Sequence, residues 1–343
     1  MQVSTIGVDL AKTVFQIHGV GSDGKVVLTR QLRRKQVIEF FSKITPCLVG
    51  MEACGTAHLW ARELTKFGHT VRLMPPSYVK GYVKRSKNDA ADAAAICEAV
   101  TRPSMRFVPV KTAEQQAALM LHRTRDLLIR QRTQLINALR AHLAELGLVA
   151  ETGREGVSEL AAIVADENNS HALPAAMKQA LQVLLDQLAA LQQQIAKLDR
   201  SIQAQHRENE VSRRLETIPG IGIIGATALA ATIADPNVFK SGRDLAAWIG
   251  LVPRQYSTGG KEKLGGISKQ GDRYLRRLLV MGATAVIQHA RRHPEKHRWI
   301  MTLLAKKPAK LVAVAVANKM ARIAWAIMAK GGTYRAPELA AAA

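Results

Sequence analysis

Near its start the chain carries the run Val3-Ser4-Thr5-Ile6-Gly7-Val8-Asp9-Leu10. The β-branched and apolar residues of this run predict a buried β-strand. A carboxylate after such a run is costly to bury unless it binds something. Asp9 is therefore a candidate functional residue, and the segments that follow indicate which kind of sheet holds it.

Strand and helix patterns alternate over the rest of the first 110 residues. The runs Val14–Val20 and Lys25–Arg30, the second preceded by the turn Gly21-Ser22-Asp23-Gly24, predict an antiparallel meander with the first strand. The later segments predict a helix, a strand, a helix, a strand and an Ala-rich helix: Lys35–Ile44, Cys47–Met51, Thr56–Phe67, Thr70–Met74 and Asp89–Val100. This order is that of a ribonuclease-H-like α/β fold, although other α/β folds share parts of it.

Only 8 acidic residues occur in residues 1–110, and four of them stand in particular places. Asp9 and Glu52 end the first and fourth predicted strands, which are neighbours in a ribonuclease-H-like sheet. Asp89 and Asp92 lie on one face at the start of the last helix. Four carboxylates in a basic domain need a counter-charge, which Mg²⁺ supplies, and two such ions can clamp a phosphodiester. For Asp89, a helix-capping or first-turn role is the alternative.

The charge is unevenly distributed along the 343 residues. Lys and Arg number 49 against 27 Asp and Glu, for a net charge of +22. Residues 1–110 carry +8, residues 111–210 carry −1 and residues 211–343 carry +15. The 48% content of hydrophobic residues excludes a disordered basic tail. The pattern predicts two nucleic-acid-facing domains joined by a neutral spacer, with a merely basic surface as the alternative.

The neutral middle region, residues 111–210, is predicted to be helical. An apolar seam with heptad spacing runs through its second half, formed by Leu181, Leu184, Leu188, Leu191, Ile195, Leu198 and Ile202. An earlier helix is predicted from Ala113 to Leu146, and a turn region from Gly147 to Pro174. The two helices suggest a helical hairpin or an intermolecular coiled coil, with simple packing inside one globular domain as the alternative.

The last region, residues 211–343, is predicted to be mostly helical. Ile218-Pro219-Gly220-Ile221-Gly222 before an Ala-rich helix resembles a helix-hairpin-helix, in which Gly220 and Gly222 let backbone N–H groups approach a phosphate. A tight helix–helix turn is the alternative. Further helices are predicted at Arg213–Thr217, Ala226–Ala234, Asp244–Ile249, Arg273–Ala290 and Lys310–Lys330.

A Gly-rich loop is predicted at Tyr256–Ile267. Ser257 in this loop is a candidate nucleophile for a phosphate, although a serine here also suits a turn. Ser268, just after the loop, is the second candidate, and it too suits a loop or cap. Seven cations in and around the loop can neutralise a phosphodiester: Arg254, Lys261, Lys263, Lys269, Arg273, Arg276 and Arg277.

Other classes of protein fit the sequence poorly. The first apolar stretch carries Asp9 and Lys12, which no secretory signal would have. The apolar stretch Leu311–Ala329 is interrupted by Asn318, Lys319 and Arg322, so no membrane span is predicted. The three cysteines, Cys47, Cys54 and Cys97, lack CxxC spacing and are predicted to be small buried residues in a reducing compartment.

Five segments, taken in order, are similar to a known family. They are Ile6-Gly7-Val8-Asp9-Leu10-Ala11-Lys12, Gly50-Met51-Glu52-Ala53-Cys54-Gly55, Lys87-Asn88-Asp89-Ala90-Ala91-Asp92-Ala93, Ile218-Pro219-Gly220-Ile221-Gly222 and Gly250-Leu251-Val252-Pro253-Arg254-Gln255-Tyr256-Ser257-Thr258-Gly259-Gly260. Through them the chain resembles the IS110-type insertion-sequence transposases, in particular the IS1111-like branch, over nearly its whole length.

The resemblance implies three parts and a set of site residues. Residues 1–110 would be a RuvC-like domain whose DEDD tetrad, Asp9, Glu52, Asp89 and Asp92, holds Mg²⁺, with Mn²⁺ able to substitute. Residues 111–210 would be a coiled-coil spacer for oligomerisation. Residues 211–343 would be a transposase domain whose serine attacks DNA, with Ser257 as the best match and Ser268 as the fallback.

The resemblance also implies partners and a location. Family members are recombinases that act with a bridge RNA pairing with donor and target DNA. They look like tetramers with composite active sites. For this chain we expect a homo-oligomer, dimer or tetramer, in the bacterial cytoplasm at the nucleoid. We therefore predict a transposase that cleaves and rejoins DNA through a serine–phosphodiester intermediate. The alternatives are a RuvC-like, metal-dependent, structure-selective endonuclease and a non-catalytic nucleic-acid-binding scaffold.

Overall fold

The computed structural model describes residues 2–83, 88–166 and 173–336. The chain divides into two compact units: Met1–Gln116 with Ile233–Lys240, and Ala117–Thr232 with Ser241–Ala343. The predicted middle and last regions thus contribute mainly to the same second unit. The division into three domains at residues 110 and 210 remains a prediction.

The first unit is built on a five-stranded mixed sheet. Its strands are β1 (Thr5–Leu10), β2 (Val14–Val20), β3 (Val26–Arg33), β4 (Leu48–Glu52) and β5 (Thr70–Met74). They lie in the order β3-β2-β1-β4-β5. The first three strands form the predicted antiparallel meander, and β4 and β5 add to β1 in parallel. The α/β sheet with β1 beside β4 is confirmed.

Helices cover both faces of this sheet. They are α1 (Val37–Ser42), α2 (Ala57–Lys66), α3 (Pro76–Val79) and α4 (Asp89–Val100). Alternate residues of β1 and β2, including Ile6, Val8, Phe15 and Ile17, are fully or almost fully buried in the core shared with α1 and α2. The bounds of β2, β5 and α4 are those predicted, because apolar periodicity and flanking turn residues mark them clearly.

Glycines let α4 lie unusually close to the sheet. A Cβ added to Gly7 in β1 would stand 2.2 Å from the carbonyl oxygen of Ala93 and 2.4 Å from the backbone nitrogen of Cys97. A Cβ added to Gly50 in β4 would stand 2.7 Å from Cβ of Val100. At these two glycines α4 packs directly against the backbone of β1 and β4, with no strand side chain in between.

The second unit begins with two long helices and a shorter one. These are α5 (Ala113–Ala144), whose first turn belongs to the first unit, α6 (Arg154–Ala165) and α7 (Ala175–Glu208). The end of α5, α6 and the start of α7 share one apolar cluster that includes Leu143, Leu160 and Leu181. The Arg125–Asp199 ion pair joins α5 to α7 further along, so the two long helices form an antiparallel hairpin within the chain.

Two details of this region differ from the sequence prediction. The predicted turn region Gly147–Pro174 contains α6, whose apolar residues Val157, Leu160 and Val164 pack into the hairpin; residues 167–172 lie outside the described residues. The α7 seam alternates in burial. Leu181, Leu188, Ile195 and Ile202 are buried, whereas Leu184, Leu191 and Leu198 are half-buried. An intermolecular coiled coil remains a prediction.

Short helices and a hairpin complete the second unit. The helices are α8 (Glu210–Glu216), α9 (Ile223–Thr232), α10 (Gly242–Ile249), α11 (Arg273–Arg292), α12 (Arg298–Lys306) and α13 (Ala309–Lys330). The predicted loop Tyr256–Ile267 is wrong in part, because β6 (Pro253–Gln255) and β7 (Leu264–Ile267) pair in antiparallel fashion. Gly259 and Gly260 have φ of +54° and +77°, the left-handed conformation that a two-residue hairpin turn requires.

Helix α13 is long and apolar enough to cross a membrane by length and composition. Val312, Val316, Ala317, Met320 and other residues of this helix are buried inside the second unit. Its charged residues are all exposed: Lys310, Lys319, Arg322 and Lys330. This is the pattern of a core helix with one face on the surface.

The cysteines do not all follow their prediction. Cys47 and Cys97 are buried, and burial raises the pKa of each thiol to about 11. Cys54 is exposed, because it lies in the turn between β4 and α2 rather than in either element. Since thiolates are the reactive form, Cys47 and Cys97 serve as packing residues.

Candidate active site

The sheet carries Asp9 and Glu52 to the same edge. β1 and β4 are parallel neighbours, and their register pairs Val8 with Met51. Asp9 and Glu52 are the next residue of each strand, at the carboxyl ends, and both are half-buried. The sequence predicted that these two residues would be neighbours, and the strand pairing confirms it.

Both carboxylates project towards α4. Side chains alternate between the faces of a strand, so Asp9 shares the face of Gly7, and Glu52 shares the face of Gly50. Those glycines are the ones on which α4 rests. The two acids therefore lie on the face of the sheet that α4 covers, and each remains half-buried.

The start of α4 lies at the same end of the sheet. Gly7 lies beneath Ala93 and Cys97, and Sγ of Cys97 lies 3.7 Å from the carbonyl oxygen of Thr5. The helix thus runs against the direction of β1. Each helical residue rises about 1.5 Å, so Asp89 lies about 6 Å beyond Ala93, towards the end of β1 that holds Asp9.

Asp89 is not the cap of its helix. Asn88 caps α4, and its side-chain oxygen accepts a hydrogen bond of 2.8 Å from the backbone N–H of Ala91. Asp89 and Asp92 stand in the first turn, where a negative charge suits the helix dipole. Asp89 is exposed and Asp92 is half-buried, so both residues keep part of their surface open to solvent.

The backbone thus brings the elements of the predicted tetrad to one edge. Within the described ranges, however, no three His, Cys, Asp or Glu side chains are grouped as a metal site. The donor set itself fits a hard divalent cation, since it consists of carboxylate oxygens on two strands in register and one helix start. The tetrad remains a prediction whose backbone placement is favourable.

Ser257 lies on the exposed β6–β7 hairpin of the second unit. Its Oγ accepts a hydrogen bond of 3.1 Å from Nε2 of Gln255 and one of 3.4 Å from the backbone N–H of Lys263. The turn beyond it is closed by two hydrogen bonds between the backbones of Thr258 and Lys261. The hydroxyl oxygen is thus held by two donors, while its own proton has no described acceptor.

Ser268 is more fully engaged in the fold. Its backbone N–H donates to the carbonyl oxygen of Val252 at 2.8 Å. Its carbonyl oxygen accepts from the Arg254 guanidinium at 3.2 and 3.3 Å. Its Oγ accepts from the backbone N–H of Gln270 at 3.5 Å, which is the pattern of a serine turn. The two candidate serines therefore differ in their surroundings.

The seven predicted DNA-facing cations fall into two groups. Three arginines are bound within the chain. Arg254 contacts Ser268; Arg276 donates to the carbonyl oxygens of Ile249 and Gln270, both at 2.7 Å; and Arg277 pairs with Asp126. Four cations are exposed and have no described ion pair: Lys261, Lys263, Lys269 and Arg273. The second group is the better placed to meet phosphates.

The two glycines of the predicted helix-hairpin-helix also differ. Gly220 has φ of +86°, and a Cβ on it would stand 2.7 Å from the carbonyl oxygen of Gly282 in α11. Gly222, at the start of α9, has no atom within 4 Å of such a Cβ. Gly220 thus serves close packing onto α11, and Gly222 leaves the helix start open.

Sequence reasoning did not single out Gln255, Gly7 or Gly50. The side chain of Gln255 donates a hydrogen bond to Ser257. Its position two residues before the serine was the only feature of the sequence that could have indicated this contact. The two glycines lie two residues before Asp9 and Glu52 in their strands. A glycine inside a strand indicates a close backbone approach. The patterns Gly-x-Asp and Gly-x-Glu at the two strand ends could therefore have predicted that a helix packs beside the acids.

A ribonuclease-H-like sheet with acids at two strand ends, in a chain that also carries a cation-rich unit, is typical of enzymes that act on nucleic-acid phosphodiesters. The comparisons with known proteins narrow this class. Residues 6–147 match the family model of the DEDD transposases of IS110, and residues 212–298 match the model described as "Transposase IS116/IS110/IS902 family". The chain belongs to this transposase family.

Relatives of nearly the same length support the assignment. The chain is 52% identical to a "Probable family 20 transposase" of Pseudomonas aeruginosa, over 98% of this chain and 99% of the relative. It is 41% identical to the transposase of insertion sequence IS1328 of Yersinia enterocolitica, over 97% and 98%. It is 40% identical to that of IS1111A of Coxiella burnetii, over 97% and 92%. The chain is thus an enzyme of DNA transposition, not a scaffold.

Proposed function

We propose that this transposase cleaves DNA with Ser257 and rejoins it through a serine–phosphodiester intermediate. The observation that carries the proposal is the contrast between the two serines. Oγ of Ser257 is exposed and fixed by Gln255 and Lys263, whereas Ser268 is bound on its backbone and side chain alike. Cations without a described ion pair flank Ser257, as an approaching phosphodiester requires.

The proposed metal ligands are the carboxylates of Asp9, Glu52, Asp89 and Asp92. Mg²⁺, when bound, polarises the scissile phosphate and offsets its developing negative charge. The chain's contribution is positional: the β1–β4 register holds Asp9 beside Glu52, and the glycine contacts hold α4 against both strands. Mn²⁺, which takes similar oxygen ligands, is expected to substitute.

The covalent step needs no external reagent, because each bond that forms replaces one that breaks. Oγ of Ser257 attacks the phosphorus and forms a phosphoserine ester, while the bond from phosphorus to the 3′ oxygen breaks. The serine proton is transferred, in net terms, to the departing 3′ oxygen, which becomes a free 3′-hydroxyl. Attack by a 3′-hydroxyl on the phosphoserine reverses the step and restores the serine, so no ATP is consumed.

A nicked suicide substrate tests the serine assignment. The nick lets a short strand diffuse away after cleavage, so that a covalent protein–DNA adduct accumulates and is seen by denaturing gel. Wild-type protein and the Ser268→Ala variant should both form the adduct, and Ser257→Ala should not. An adduct on Ser257→Ala would refute the assignment. Products with 5′-phosphate ends and no adduct would instead favour a structure-selective endonuclease.

Guidance by a bridge RNA is part of the proposal and rests on the resemblance to the family and on the basic residues of both chain ends. Sequencing the RNA that co-purifies with the protein tests it. An RNA encoded beside the gene, pairing with donor and target DNA, is the expected result. Preparations that recombine DNA after nuclease removal of all RNA would contradict RNA guidance.

We further propose that the active protein is a homo-oligomer, dimer or tetramer, at the bacterial nucleoid. Leu191 and Leu198 along α7 are half-buried, so each keeps part of an apolar side chain for contact with a second copy. Light scattering should give a mass of two or four chains. If active sites are composite between subunits, mixing inactive Asp9→Asn and Ser257→Ala proteins should restore part of the activity. A monomer active by itself would contradict this.

A further inference from the structure

A groove in the second unit lies at the base of the Ser257 hairpin. It encloses about 1050 Å³, and one wall is formed by Pro253 and by Gly265, Gly266 and Ile267 of β7. Other lining residues belong to α13 and include Leu311, Val314 and Ile323. The volume is at the upper end of pockets that hold organic ligands, about 300–1,000 Å³.

An exposed tryptophan stands in this groove. Trp299, at the start of α12, is 43% exposed despite its apolar ring. Nζ of Lys319 lies 4.5 Å from the centroid of that ring. Lys319 thus lies over one face of the ring in a cation–π contact. Single-stranded nucleic-acid sites combine aromatic rings, on which bases stack, with cations that bind the backbone phosphates.

The charge of the groove has one sign. Arg243, Lys319 and Arg322 line it and are exposed, and none of them has an ion pair within the described chain. The described lining residues include no Asp or Glu. An apolar floor with three cations and no acid favours an occupant that combines apolar faces with negative charge.

We propose that this groove binds an unpaired DNA strand, with a base stacked on Trp299 and phosphates at Arg243, Lys319 and Arg322. The inference rests on the proposed function, in which Ser257 attacks DNA. Ser257 lies four residues from Pro253, about 13 Å along an extended chain, or roughly four stacked nucleotides. The groove would thus hold the strand next to the cleaved phosphodiester.

Other occupants fit less well. A second copy of this chain carries a net charge of +22, so its surface would be repelled by the three cations. Double-stranded DNA keeps its base faces stacked and cannot use Trp299. RNA offers the same chemistry, but the hairpin that forms the wall of the groove also carries Ser257, and this favours the DNA strand that the serine attacks.

A binding assay with uncleavable protein tests the site. A fluorescein-labelled 12-nucleotide oligo(dT) is titrated with full-length Ser257→Ala protein, and the anisotropy gives the Kd. Adding Trp299→Ala should weaken binding about 5- to 150-fold, the loss typical of a stacked base. Trp299→Phe should retain most of the affinity. Trp248→Ala, which removes a tryptophan of similar exposure, 41%, outside the groove, should leave the Kd unchanged.

Three further measurements complete the test. Lys319→Ala should lower the slope of log Kd against log salt by about 0.7, the value for one phosphate contact on a single strand. A 12-base-pair duplex should bind Trp299→Ala and the parent protein alike within twofold. Light scattering should show the same mass for both proteins.

Four results would overturn the proposal. The first is an unchanged oligo(dT) affinity in Trp299→Ala, and the second is an equal loss of affinity for duplex DNA. The third is a loss in Trp299→Phe or in Trp248→Ala as large as that in Trp299→Ala, and the fourth is a loss of affinity in Trp299→Ala that is accompanied by a loss of oligomer mass. A matched RNA strand that binds more tightly and depends on Trp299 would overturn the choice of DNA. Since no cleavage is measured, these outcomes are independent of the adduct experiment.

Discussion

Replacing Gly7 with alanine should separate α4 from the strands that carry the acids. The new Cβ would stand 2.2 Å from the carbonyl oxygen of Ala93, whereas ordinary contact begins near 3.4 Å. The helix must therefore retreat by about 1.2 Å, because backbone atoms cannot rotate away as a side chain does. Overpacking of this kind typically costs about 1–3 kcal/mol.

The displacement also bears on activity. Asp89 and Asp92 are carried by α4, and Asp9 follows Gly7 by two residues, so a retreat of the helix separates the acids. A misplacement of about 1 Å can reduce a catalysed rate about 100-fold. We expect the variant to lose cleavage at a temperature where urea titration shows it to be folded, and its DNA affinity to change little.

Two controls isolate this cause. Gly81→Ala adds a Cβ with no atom within 4 Å and should leave stability and cleavage unchanged. Gly50→Ala meets Cβ of Val100 at 2.7 Å and its two γ carbons at 3.0 and 3.1 Å. Val100→Ala removes only the γ carbons, so it should reduce the damage of Gly50→Ala in part. If Gly7→Ala cleaves a labelled substrate within twofold of wild type and unfolds at the same urea concentration, our account of how α4 is placed is wrong.

Four further predictions follow from the same geometry. Burial lowers the pKa of His122 to about 4 in the folded protein, whereas in the unfolded chain it lies near 6.5. Between these pH values only the unfolded chain binds the proton, so the free energy of unfolding should fall by about 3 kcal/mol as the pH drops from 6.5 to 4. Urea titrations should show this slope, and His122→Gln should lack it. Gly282→Ala places a Cβ 1.9 Å from the carbonyl oxygen of Gly220 and should lower the free energy of unfolding by about 1–3 kcal/mol; an unchanged midpoint would contradict that contact. Arg276→Ala should lower the Tm through loss of its two carbonyl contacts, whereas Lys269→Ala should keep the Tm and weaken DNA binding; the reverse result would exchange their roles. EDTA should abolish cleavage and Mg²⁺ or Mn²⁺ restore it, and cleavage that persists in EDTA would rule out metal dependence.

The sheet was predictable because its strands are short, apolar and bounded by turn residues. Val14–Val20 and Thr70–Met74 show strand composition, and the Gly21–Gly24 turn marks the meander. The neighbouring placement of Asp9 and Glu52 then follows from topology alone. Glycine contacts such as that of Gly7 with α4 were not predictable in detail, since they depend on how closely the helix approaches.

The secondary structure of the second unit was harder to predict from the sequence, for two physical reasons. α6 lies among glycines, and its apolar positions Val157, Leu160 and Val164 show a helical period over only about two turns. The β6–β7 hairpin is exposed on both faces, so it lacks the alternation that reveals a strand. Its signal was the Gly259-Gly260 pair, which favours a two-residue turn.

The groove beside the hairpin left almost no trace in the sequence. Trp299, Lys319 and Arg243 come from three separate elements, and only tertiary packing places them around one space. The composition did show an excess of positive charge in residues 211–343. The composition could not show which cations are bound within the chain, as Arg276 is, and which remain available to a partner.

The order of the parts along the chain has a consequence during synthesis. The proposed metal ligands are complete once residue 92 has been made, whereas Ser257 comes 165 residues later. At about 5–20 residues per second, the ribosome needs roughly 8–33 seconds to bridge that interval. Throughout it, a nascent or prematurely released chain holds the proposed metal ligands without the proposed nucleophile. On that mechanism such a fragment could not form a covalent link to DNA by itself, so breakage of the chromosome would have to wait for chains that extend past Ser257.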